Sequence, residues 1–173
     1  MNRPVTLIEP GTVKLERLLP GPIDRVWAYL TESDKRAKWL AAGEFELRLG
    51  GRIELVFDHA QLSSEKESPE KYKDRKLRTF QGVITRLEPP RVLAHTWTWN
   101  GGDTEVTYEL AERGKQVLLM IVHRRLGDKA LVASVMGGWD VHTGILEDVL
   151  QGVEPRPFWT THARLEQQYA ATL

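Results

Sequence analysis

The sequence predicts an α+β fold: a strongly curved antiparallel sheet of about six to seven strands wrapped around one long C-terminal helix. Three observations lead there. Stretches of alternating apolar and polar residues follow one another from Phe45 to Arg125, separated by glycine, proline and asparagine turns. Helical periodicity appears before them, at residues 22–40, and returns after residue 128. The stretch MGGWDVHTGILEDVL (136–150) then sets Trp139, Leu146, Val149 and Leu150 on one helical face, with Asp140, Glu147 and Asp148 on the other. Only this C-terminal region is long and amphipathic enough to cover the inward faces of so many strands.

TVKLERLLP (12–20) alternates and stops at Pro20-Gly21-Pro22, so it reads as the first strand, with residues 1–11 an N-terminal extension. Ile23, Val26, Trp27 and Leu30 lie at helical spacing after Pro22. A second short helix is expected over 33–40, capped by Ser33. Two short helices therefore separate the first two strands. FELRL (45–49) and RIELVF (52–57) read as a hairpin turning at Gly50-Gly51. Strands at 80–88, 91–99, 104–110 and 115–125 complete the sheet. The intervening 59–77 segment is dense in both charges and reads as a solvated loop, with a lid or docking segment as the functional alternative. A short helix is expected at 128–136, the long one after it, and a last one at 157–170 entered through Pro157. No repeat or linker divides the chain, so residues 1–173 read as one domain.

Composition narrows the function. Lys plus Arg and Asp plus Glu number 24 each, for a formal net charge of zero. Such a chain has no long-range attraction for nucleic acid or anionic lipid, and neither is expected as a partner. The absence of cysteine removes disulfides, thiolate metal sites and thiol nucleophiles, and suits a reducing compartment. No apolar run approaches the roughly 18 residues of a membrane span, and MNRPVTLIEP has no signal-peptide core. A soluble, cytoplasmic protein is the expectation.

The order of elements, with PIDRVWAYLTESDKRAKWL, Gly50-Gly51, GVITRLEPPRVLAHTW and Gly138-Trp139 as its markers, resembles the helix-grip fold of the START-like (SRPBCC) superfamily. Within it the chain resembles the branch named after the activator of heat-shock protein 90 ATPase, over about residues 12–152. The resemblance implies a hydrophobic cavity between sheet and helix that takes a small apolar molecule, with a stress-related role. It also implies two alternatives: contact with a chaperone, or a cyclase- or hydrolase-like activity. His95 departs from the pattern, standing where an aromatic or aliphatic residue is usual.

The residues allow a cavity but show little chemistry. No serine lies in a nucleophile-elbow context, and the five histidines show no zinc-helix spacing. Neither a metal nor another cofactor is expected, and no residue is assigned a catalytic role. Alternation places His95, Trp97 and Trp99 on one face of their strand, Tyr108 on the next, and Leu118, Met120 and Val122 on the last. With Trp139, His142 and Leu146 from the helix, these give a candidate ligand-binding set: His95, Trp97, Trp99, Tyr108, Met120, Trp139, His142 and Leu146. The same residues would serve equally as packing, with each histidine a neutral core group. Gly137 and Gly138, each costing about 1 kcal/mol relative to alanine inside a helix, suggest a bend or close approach where the short helix meets the long one.

Overall fold

The computed structural model describes residues 3–75, 77–99 and 102–173. A single antiparallel sheet of seven strands runs in the order β1-β2-β7-β6-β5-β4-β3. The strands are β1 (Thr6–Glu9), β2 (Thr12–Pro20), β3 (Arg52–Asp58), β4 (Leu77–Glu88), β5 (Val92–Trp99), β6 (Gly102–Arg113) and β7 (Gln116–Arg124). Helices α1 (Ile23–Thr31) and α2 (Ser33–Arg36) link β2 to β3, and α3 (Lys129–Gln151) and α4 (Phe158–Ala170) follow the sheet. The curved sheet and the long helix across it are those of the expected helix-grip architecture. No helix among the described residues is long and apolar enough to cross a membrane.

Four details differ from the sequence reading. β1 lies in the stretch read as an extension, and pairs with β2 through Leu7 opposite Val13. FELRL is not a strand. It touches β3 only at an isolated bridge, Phe45 to Ile53, because Gly50 and Gly51 are drawn away to pair with Ile84. Ser33 does not cap α2; its hydroxyl accepts the Gly43 N–H at 2.9 Å. The two C-terminal helical stretches are one continuous α3, which begins with Asp128 accepting from Leu131 N–H at 2.8 Å and ends at left-handed Gly152.

The glycine pair sits inside α3 without breaking it. A Cβ at Gly137 would stand 3.2 Å from the Glu166 nitrogen, so the glycine is what allows α4 to lie this close. A Cβ at Gly138 would meet nothing within 4 Å. The close approach is thus to α4 rather than to the sheet.

The phase of β7 also requires correction. Val117, Leu119, Ile121 and His123 are the buried side, and Leu118, Met120 and Val122 are only half-buried on the opposite face. Six consecutive apolar residues, 117–122, satisfy either phase of a period of two. Alternation alone does not choose between them.

One polar cluster in the interior joins three elements and the residue before β1. Arg17, on the inward side of β2, donates to Asp140 Oδ1 at 2.9 Å and to Thr143 Oγ1 at 3.0 Å, both on α3. Tyr169 of α4 donates to Asp140 Oδ2 at 2.5 Å, and its oxygen accepts the Val5 N–H just before β1. Arg17 and Asp140 side chains are 7% and 18% exposed, so this pair is desolvated and its partners are not interchangeable with water. Asp140→Ala strands the buried guanidinium and is expected to cost about 3–5 kcal/mol in urea unfolding, while Arg17→Met with Asp140→Leu recovers most of it. A single variant as stable as the wild type would show that solvent replaces the carboxylate.

Candidate functional site

A cavity of about 110 Å³ lies between the sheet and α3. Its sheet wall is a row of rings made by Phe57 of β3, Phe80 of β4, Trp97 of β5 and His123 of β7. Trp97 stacks between Phe57 (centroids 5.6 Å) and His123 (5.5 Å). Across from it, α3 presents Ser134, Val135, Gly138, Trp139 and His142. These recur at three- and four-residue steps, the spacing that keeps side chains on one helical face.

Residues distant in sequence close the remaining side. His59 and Tyr72 come from the 59–77 segment, and Phe158, Trp159 and His162 from the first turns of α4. The segment is not a solvated loop: Leu62, Ser63 and Tyr72 are buried, and it is clasped to α4. Pro157 precedes that helix without a side-chain cap, leaving its first N–H groups open. Ser63 Oγ takes the Phe158 N–H at 3.0 Å, and Glu65 takes the Thr160 N–H at 2.8 Å. At the far end Tyr72 and Lys71 both donate to Glu166, at 2.5 and 2.6 Å. The segment therefore forms a strap that completes the cavity by capping a helix that cannot cap itself.

Every histidine in the chain lies at or behind this cavity, and three have their tautomers fixed. Thr104 donates its hydroxyl to Trp97 O at 2.9 Å, so the 2.7 Å contact with His123 requires a proton on His123 Nε2. His123 Nδ1 then accepts Trp139 Nε1–H at 3.1 Å. His95 donates from Nδ1 to Thr96 O at 2.9 Å and accepts the Tyr108 hydroxyl at Nε2, 3.1 Å away. His142 donates from Nδ1 to the carbonyl of Trp39 at 2.7 Å, leaving Nε2 as an acceptor.

Burial holds these rings neutral. It lowers His95 and His59 to about 4 and His123 and His142 to about 3. Neighbouring imidazoles add to the effect, since His59 and His142 stand 5.8 Å apart. His162 is lowered too, although Glu166 opposes the shift. Burial likewise pushes the Tyr108 phenol far up, so it remains a donor. Among the described residues no group of three or more His, Cys, Asp or Glu is placed to hold a metal ion.

The structure brings together Trp97, Trp139 and His142 of the sequence-derived set. His95, Tyr108 and Leu146 are buried in the core and do not line the cavity. Met120 lines a shallow groove on the opposite face of the sheet, with Val122 and Arg124. The side chain of Trp99 lies outside the described residues. Sequence reasoning missed His59, Tyr72, His123 and the α4 residues. His123 was within reach, since it continues the Val117, Leu119, Ile121 alternation. Phe158 and His162, four apart on one helical face, were a second available signal.

Comparison with known proteins places this geometry. The family model described as activator of Hsp90 ATPase homolog 1-like protein matches residues 20–151. A Bordetella parapertussis protein solved by NMR is 43% identical over 97% of this chain and 89% of its own, with a TM-score of 0.83. CalU16 from Micromonospora echinospora is 23% identical over 99% of this chain and 96% of its own, with a TM-score of 0.71. An Enterococcus faecalis protein is 18% identical over 99% and 88%, with a TM-score of 0.67. At that identity the last two speak for the fold alone. A search of curated proteins finds no match. With most of its length matched by the family model, the chain belongs to the activator of Hsp90 ATPase homolog 1-like family.

Proposed function

We propose that this protein binds a small apolar or aromatic molecule in the cavity beneath α3 and does not transform it. The observation that carries this reading is an open space of about 110 Å³ walled by aromatic rings. A wall of rings suits dispersion and edge-to-face contact with a flat guest. Two of the histidines are fully committed: His123 in the wall and His95 behind it have both ring nitrogens hydrogen-bonded. Neither of these two rings is a free general base, so the cyclase- or hydrolase-like alternative would need one of the other cavity histidines. The chaperone alternative draws no particular support from the charged segment, whose Glu65 and Lys71 already bind α4.

Gly138 offers a direct test, because it lines the cavity and a Cβ there meets no atom within 4 Å. Titration with toluene is expected to change tryptophan fluorescence saturably, since Trp97, Trp139 and Trp159 all line the space. Gly138→Ala should fold normally and gain up to about 1 kcal/mol. Gly138→Leu should also fold but lose toluene binding at least tenfold. Unchanged binding by the leucine variant would place the ligand elsewhere.

The buried histidines predict an acid limit. Their folded-state values, about 3 to 4, lie below the roughly 6.5 of an unfolded histidine. Between those values the unfolded chain binds more protons, so stability is fully present above about pH 6.5 and falls as the pH drops toward 4. Each such ring removes about 1 kcal/mol per pH unit within that window. Thermal melts at pH 7.5, 6.5 and 5.5 should show a steep fall in Tm only below 6.5. A flat profile would mean the rings are solvated.

A further inference from the structure

We infer that the molecule this cavity takes is a neutral, single-ring compound carrying one hydrogen-bond donor, the phenol class, with that donor on His142 Nε2. The inference rests on the binding function proposed above and adds the chemistry of the guest.

Size sets the first limit. The cavity holds about 110 Å³, well under the roughly 300 Å³ at which pockets for drug-sized ligands begin. It is closer to the roughly 150 Å³ apolar cavity that admits one benzene. A single ring matches this space, and a fused or multi-ring guest does not unless the strap comes away from α4.

Hydrogen bonding sets the second limit. His142 spends its one N–H on the Trp39 carbonyl, so Nε2 presents a lone pair that no described residue takes up. An unmet acceptor in an apolar enclosure favours a guest that brings a donor. The facing ring, His59, has its Nδ1 buried without a hydrogen-bond partner, so this end of the cavity carries unmet polar capacity on both sides. Toward the other end, His123 has both nitrogens engaged.

Charge sets the third. Among the described residues no carboxylate lines the cavity, so a cationic guest meets no counter-charge from them. The one charged lining residue among those described, Arg78, holds its guanidinium over the Phe80 ring at 4.9 Å. A carboxylate guest would set acceptor against acceptor at Nε2 and would bond only if His142 took up a proton, which its burial opposes.

The test compares phenol with toluene, two rings of nearly the same shape that differ in the donor, and with benzoate as the anion. Affinities are measured by calorimetry at pH 7.5 for the wild type and for His142→Asn. Asparagine can keep a donor toward the Trp39 carbonyl but has no atom in the place of Nε2. The ratio of toluene to phenol dissociation constants is expected to fall about tenfold in the variant, equivalent to about 1.4 kcal/mol. Independently of that variant, phenol should shift the nitrogen-15 resonance of His142 Nε2 in the wild type, and toluene should leave it unmoved. Toluene binding without any Nε2 response to phenol, or benzoate binding more tightly than phenol, overturns the donor assignment while the binding function stands. If none of the three binds, both readings fall.

Discussion

The hydrogen bond from His142 to the Trp39 carbonyl is the contact on which the site depends. It fixes the position of α3 against the corner between α2 and β3, and it decides which nitrogen of His142 remains available. That corner is itself held rigid. Trp39 is fully buried and donates its indole N–H to Tyr29 O at 2.8 Å. Arg36, almost fully buried, donates to the carbonyls of Leu30 and Ala41 at 3.1 Å each and also to that of Gly43. Its guanidinium lies 3.6 Å from the Phe45 ring centroid, and burial lowers it to about 10 without taking its charge at neutral pH. A buried cation is tolerable here because backbone oxygens converge on it from three directions. The acceptor in the cavity is thus the last member of a chain that begins with an arginine in a two-helix corner.

On the opposite flank, Arg17 and Asp140 hold α3 to β2 while Tyr169 brings α4 in behind it. Two anchors, one on each side, keep a single helix suspended across a concave sheet. Between them the packing is left incomplete. Gly137 and Gly138 explain where. The first lets α4 press against α3, and the second withholds a side chain from the space beneath. A pair of residues that weakens helix propensity is retained in the middle of the longest helix, and each member has a separate steric consequence.

Much of this was legible in the sequence. Alternation and turn chemistry locate β2, β3, β5 and β7 to within a residue at each end and the centre of β6, and helical spacing locates α1, α4 and, as two pieces, α3. His142 stood out on an apolar face because a polar ring there needs a reason. The failures have physical causes. FELRL alternates as well as any strand in the chain, but its glycine turn is bound to Ile84, a long-range pairing that local pattern cannot report. The uniformly apolar run in β7 hides its own phase, so alternation alone puts Met120 on the cavity side, whereas that side is the one that carries His123. His95 and Tyr108 were read correctly as inward, yet inward covers both cavity wall and solid core. Their mutual hydrogen bond is what puts them in the core.

The strap was the least legible part and has the largest effect on the cavity. Its composition is that of a solvated segment, with charges in both senses and few large apolar residues. What orders it is a set of donors that another part of the chain cannot satisfy: the first N–H groups of α4, behind a proline that offers no cap. Composition measures what a segment could bury, whereas this segment is held chiefly by what it accepts. The consequence reaches the cavity. His59 and Tyr72 arrive on the strap and narrow a sheet-and-helix cleft to the dimensions of one ring. Capping a helix and setting the size of the cavity are therefore two effects of the same few hydrogen bonds.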